Sequence, residues 1–179
     1  MNGFKNSRVV RRLVQREPSD PAAAVIPNDA DRTEAGAAHL SSNAGMDITT
    51  FDDLLLAARQ QPEPQRLLLV FAGASLPPDA SAEQRAEFEA GEGGELAPLM
   101  CVDKDPHALT SFAALATEAE TLGPPWSLLF AAALAGRAPL PPSDSQVDAA
   151  LQQMVEAVRV GDLARYLPFD RGGNAVRLA

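Results

Sequence analysis

From Thr49 onward, polar and apolar positions follow two alternating rhythms that predict helices and strands in turn. Thr50 with Asp53 three positions later resembles a capping box, with Asp in place of the usual Glu or Gln. Phe51, Leu54, Leu55 and Ala58 then share one helical face until Pro62 and Pro64 stop it. Leu67 to Ala74 is continuously apolar and short, the pattern of a strand buried on both faces of a helix-covered sheet. Ser81 and Gln84 cap a polar helix running through Ala90, which Gly91-Glu92-Gly93-Gly94 breaks as a turn. Leu96 to Val102 is the next strand. Pro98 cannot donate to a ladder, so that strand lies on an edge there or begins in effect at Leu99.

Asp105-Pro106 predicts the next helix start, with Asp as N-cap and Pro at the first helical position. Leu109, Phe112, Ala113, Ala116, Ala119 and Leu122 follow at helical spacing, and Gly123-Pro124-Pro125 ends the helix. Trp126 to Ala135 is of strand length, although its alanines also suit a buried helix. Ser143 and Gln146 cap a last helix with Val147, Leu151, Met154 and Val158 on one face and Gly161 at its end. Arg171-Gly172-Gly173-Asn174, between Leu167–Asp170 and Ala175–Leu178, reads as a terminal hairpin.

This alternation predicts an α/β single domain over residues 46–179, with a mixed, mostly parallel sheet of about four to five strands flanked by helices. The short links near residues 105 and 125 favour a parallel crossover between the second and third strands.

Residues 1–45 follow neither rhythm and are expected to be a disordered N-terminal extension. From Pro18 to Gly45 there is little to bury, and ordering costs about 1–2 kcal/mol per residue. Arg8-Val9-Val10-Arg11-Arg12-Leu13-Val14 could form a short basic helix. It is either a targeting peptide or an upstream extension of a unit that starts at Met46.

Charge and composition narrow the function. The 179 residues carry a net charge of −9, with 46% apolar and 5% aromatic residues. That balance opposes nucleic-acid binding, which clusters Lys and Arg, and attraction to an anionic membrane. The longest nearly continuous apolar run, Trp126 to Ala135, is about half the roughly 20 residues of a membrane span. With no secretory h-region and one cysteine, the expected compartment is the cytoplasm.

Candidate chemistry centres on Cys101 with Asp103, Lys104 and His107. A helix N-terminus, a lysine and an imidazole all favour a thiolate, and ligand sites of α/β sheets gather at strand ends. Alternation puts Cys101 and Asp103 on one face and Lys104 on the other. The same residues also read as the end of a core strand and the cap of a helix. Zinc spacing, GxxxxGK[ST], GxGxxG and GxSxG are absent from the sequence, so no metal or cofactor is expected. Asp170-Arg171 is a polar pair that the hairpin turn explains without a ligand.

Five stretches carry a family resemblance. They are Thr50–Leu55, Gln60–Leu68, Val70–Ala74, Pro98–Lys104 and Phe169–Gly172. Together they resemble a small proteobacterial family labelled "ribonucleotide reductase subunit alpha", and the resemblance implies Met46 as the usual start. Catalysis under that label requires a radical cysteine, a redox cysteine pair and a far longer barrel, whereas this chain has Cys101 alone. No catalytic residue carries over from the family. The expected function is therefore a non-catalytic accessory or protein-interaction module, with another protein as partner. The alternative is a small thiol-dependent enzyme or redox sensor using Cys101.

Overall fold

A computed structural model describes residues 11–12, 47–77, 79–90 and 95–178. Its centre is β2 (Gln65–Ser75), in which Leu67 to Ala72 are at most 1% exposed. A strand so buried must satisfy its backbone on both edges and its side chains on both faces. Its edges are met by β3 (Glu95–Lys104) and β4 (Leu128–Ala135), both antiparallel to it. β5 (Leu167–Phe169) pairs antiparallel with β4, and the two-residue β1 (Arg11–Arg12) pairs antiparallel with the outer edge of β3. The order is β1-β3-β2-β4-β5.

The expectation of a mostly parallel sheet is incorrect, because every neighbouring pair is antiparallel. The reason lies in the helix between β2 and β3. In α2 (Ala82–Glu89) no residue is buried, so it cannot lie on the sheet as a parallel crossover requires. It projects instead from an expanded β2–β3 hairpin, held by its Ser81–Gln84 capping box. β3 and β4 do run in the same direction, but β2 stands between them.

The faces are covered as the hydrophobic pattern of β2 demands. On one side, Leu67, Leu69 and Phe71 pack with α1 (Phe51–Arg59) and α3 (Phe112–Leu122). On the other, Leu68, Val70 and Ala72 pack with α4 (Asp144–Val160). Trp126 to Ala135 takes the strand alternative over Leu128–Ala135. The capping boxes expected at Thr50 and Ser143, and the Gly161 C-cap, are all formed.

Register slips once, between Phe71 opposite Met100 and Ala72 opposite Pro98. Leu99 is the extra residue of a β-bulge, so Leu99 and Met100, neighbours in sequence, pack toward the same layer. The bulge sits beside Pro98, where a ladder donor is missing.

The helix expected at Asp105-Pro106 starts later. Residues 105–109 make one turn, with Ala108 and Leu109 N–H donating to the Asp105 carbonyl and His107 N–H to its carboxylate. α3 begins at Phe112 with Ser111 as N-cap. Two side chains of α1 impose this break. Arg59 donates to the carbonyls of Pro106 (2.8 Å) and Leu109 (2.6 Å), and the Pro106 carbonyl is the one a continuing helix would use for residue 110. Asp52 accepts from the Phe112 N–H at 2.8 Å, capping α3 from outside. On α3 Leu115 is buried, whereas Leu122, at the end of the expected periodic set, is 54% exposed.

The terminal hairpin forms, and it is fastened to α1. Phe51 N–H donates to the Gly173 carbonyl and Ala175 N–H to the Thr49 carbonyl, both at 2.8 Å. Asp170 Oδ1 accepts from the N–H groups of Gly172 and Asn174 and braces the turn. The expected basic helix over residues 8–14 is not seen at Arg11–Arg12, which are a strand. The rest of that segment, the Gly91–Gly94 turn and nearly all of the expected disordered extension lie outside the described residues.

Two glycines with positive φ provide a graded test. Gly161 (φ 77°) has open space where a Cβ would stand, so Gly161→Ala should cost only the left-handed backbone penalty, about 1 kcal/mol. At Gly173 (φ 79°) a Cβ would stand 2.7 Å from the Phe112 ring, and Gly173→Ala should cost about 2–4 kcal/mol. Urea unfolding measures both, and equal losses would contradict this packing.

Acid sensitivity provides a second test. Hydrogen bonds from Thr50 and then Thr49 hold Asp53 below its ordinary 3.8, and those from Asn174 do the same most strongly for Asp170. Both groups bind fewer protons folded than unfolded, so they stabilise the fold above their unfolded pKa. That contribution is lost as pH falls through the lower folded values. Melting temperatures followed from neutral pH to below pH 3 should drop less steeply for the Asp53→Asn, Asp170→Asn double variant, which starts from a lower value at neutral pH. An unchanged acid limb would count against these bonds.

Candidate functional site

β3 delivers Cys101, Asp103 and Lys104, and the strand's pleat sends them to two different layers. Strand geometry extends through Lys104, so alternation holds to the end of the charged stretch. Cys101 is 6% exposed and packs in the α4 layer among Leu68, Val70 and Phe130. Asp103 lies on the same face, 3% exposed, with its Oδ2 3.6 Å from Arg66 Nε and accepting no hydrogen bond. Lys104 points to the α1/α3 layer, where both oxygens of Glu118 lie 2.7 Å from its Nζ. His107 is exposed on the turn that follows, its backbone N–H bound by Asp105.

The structure therefore keeps Cys101 and Asp103 on one face and separates both from Lys104 by the thickness of the sheet. The charged residues are not solvated, as the helix-cap reading would have them. Asp103 and Lys104 are the buried charged residues of the described core, and each is matched by an opposite charge. Burying an ion without such a partner costs several kcal/mol, which accounts for the pairing.

The pairing partners were not evident from sequence. Glu118 lies 14 positions after Lys104, on a helix that starts later than the Asp105-Pro106 signature predicts. Arg66 does carry a signal, as a lone cation just ahead of an apolar strand, and its diagonal place beside Asp103 follows from the β2–β3 register. Asp52 and Arg59, which hold the 105–112 connector, resemble ordinary helix-end charges in sequence.

A second polar group lies near the hairpin. The Arg171 guanidinium sits 5.7 Å from the centroid of Trp126 and bonds Glu120 at 2.9 Å. Arg171 and Glu120 are each 56% exposed, a geometry worth a few tenths of a kcal/mol to about 1 kcal/mol. Trp126 is buried, and its indole N–H has no hydrogen-bond partner. Asp170, the other residue of the polar pair read from sequence, is taken up by the turn.

Among the described residues, no group of three or more His, Cys, Asp or Glu side chains is placed to hold a metal ion. Nor is any helix among them long and apolar enough to cross a membrane. No family model, curated protein or solved structure matches the chain.

The Lys104–Glu118 pair yields a prediction of non-additivity. Glu118→Ala removes the carboxylate bound to the buried Lys104 and should destabilise by about 1–3 kcal/mol, less than for a fully buried pair because Glu118 is 33% exposed. Adding Lys104→Met should recover part of that loss. Denaturant melts of the two single variants and the double variant decide the matter, and strictly additive losses would show that the pair is not coupled.

Proposed function

We propose that this chain is a cytoplasmic, non-catalytic accessory or protein-interaction module, related to the family labelled ribonucleotide reductase subunit alpha. One observation carries the reading: each chemistry-bearing residue of the 101–107 stretch has a separate structural assignment. Cys101 packs in the α4 layer, Asp103 faces Arg66, Lys104 is bound to Glu118 on the opposite face of the sheet from Cys101, and His107 is exposed. Nucleophilic catalysis needs the nucleophile and its activating groups at one accessible point. This arrangement disperses them. The lone cysteine likewise leaves no dithiol for ribonucleotide reduction.

The alternative, a thiol enzyme or redox sensor, requires Cys101 to react in the folded state. In the native protein a thiol-specific reagent should modify Cys101 at least about a hundredfold more slowly than in denaturant, at every pH from 6 to 9. Rapid native modification with a low-pH midpoint would establish the alternative instead. For the interaction reading, reciprocal tagged purification from the native cell should return one partner in fixed stoichiometry.

A further inference from the structure

We infer that the passage from β3 to α3 is a two-position switch, in which Arg59 and Asp52 of α1 hold α3 short against a longer helix that begins at Asp105. The chain carries two helix starts here. Asp105 already caps one turn, its carboxylate accepting from His107 N–H and its carbonyl from Ala108 and Leu109 N–H, with Pro106 at the first helical position. Ser111 caps the second start, its hydroxyl accepting from Ala114 N–H at 3.3 Å. Joining the turn to α3 takes four backbone bonds: Thr110 N–H to the Pro106 carbonyl, Ser111 to His107, Phe112 to Ala108 and Ala113 to Leu109. Among the described residues none of the four is made, and α1 intercepts three of them. Arg59 occupies the Pro106 and Leu109 carbonyls, and Asp52 occupies the Phe112 donor. Side chains of another element thus stand in for the backbone of a missing helical turn.

Apolar burial does not choose between the two positions. Leu109, Phe112, Leu115 and Ala119 are all buried in the layer shared with α1. On a continuous helix over residues 105–122 the same four fall on one face, so the change exposes none of them by its periodicity. The residues that must change are Thr110 and Ser111, the latter extended at φ −162° and ψ 168°. Both lie outside the core, Thr110 exposed and Ser111 partly so. The choice therefore falls to the α1 contacts, which are within reach of solvent, Asp52 being exposed and Arg59 half-buried. A conformational switch needs two packings of similar stability and a few contacts that bias them. Here the bias couples α1 to the length of the helix that carries Glu118, the partner of Lys104.

Amide exchange of the full chain, read residue by residue by NMR, tests the switch. Arg59→Met removes both donors and leaves the Pro106 and Leu109 carbonyls to the backbone. It should slow exchange at Thr110, Ser111 and Ala113 at least about tenfold, with β2 amides within about twofold of the parent. Unchanged or faster exchange at those three amides would overturn the proposal, because Arg59 would then only brace the connector. Adding Asp105→Ala to Arg59→Met should reverse most of the new protection. Protection that survives it would place the longer helix start elsewhere and overturn the two-position assignment. Should Arg59→Met not fold, Ser111→Ala reads the same equilibrium with α1 intact. By removing the cap of the short helix it should slow Thr110 and Ala113 at least about threefold, and unchanged exchange there would overturn the switch. Cys101, Asp103 and Lys104 belong to β3, so failure here leaves their dispersal between layers, and the non-catalytic reading, standing.

Discussion

Burial of β2 on two edges and two faces is the constraint from which the rest of the molecule follows. Six successive residues, Leu67 to Ala72, are essentially removed from water, and each large one contributes about 1.5–3 kcal/mol by its burial. Such a strand cannot sit at an edge or carry an open face. It requires β3 and β4 beside it, α1 and α3 above it and α4 below. The alternation of its side chains divides the core into two layers that do not mix. The fate of every residue on β3 depends on that division.

The charged end of β3 shows the consequence. Pleating throws Asp103 and Lys104 to opposite layers, and each layer supplies its own counter-charge, Arg66 from β2 and Glu118 from α3. What looks in one dimension like a compact group of thiol, carboxylate, ammonium and imidazole is dispersed in three. The connector that follows is equally constrained, because Arg59 and Asp52 grip its carbonyls and the first N–H of α3. α1 thereby acts as a splint across the strand-to-helix passage. It holds in place the stretch where an α/β enzyme would commonly keep a mobile ligand-binding loop.

The side of the sheet bearing β3 has a different character from the side bearing β5. β5 is backed by the terminal hairpin, whose Gly173 and Ala175 are bonded to the start of α1. β3 carries a proline, a bulge and a two-residue partner from the far N-terminus. Bulges and prolines discourage indiscriminate pairing at an edge, and both fall in the half of β3 nearer Glu95.

Local chemistry was legible in the sequence wherever its partners lie within a few residues. The capping boxes at Thr50, Ser81 and Ser143, the buried run of β2, the helix-covered sheet and the terminal hairpin all rest on interactions spanning a few positions or on simple periodicity. The polar character of α2 was legible too, but its consequence for strand direction was not, and the sheet is antiparallel where a mostly parallel one was expected. Tertiary structure decided what depends on residues far apart. Asp105-Pro106 has the local signature of a helix start, and it was overruled by Arg59 and Asp52, about 50 and 60 positions away. The placing of Cys101 and Asp103 on one face and Lys104 on the other follows from strand alternation, while their engagement with Arg66 and Glu118 was decided by other elements. The sequence by itself determined the capped helices α1, α2 and α4 and the buried strand β2, because capping and periodicity act locally. Strand direction and the engagement of each charged side chain were decided only when distant segments competed for the same buried backbone and the same buried charge.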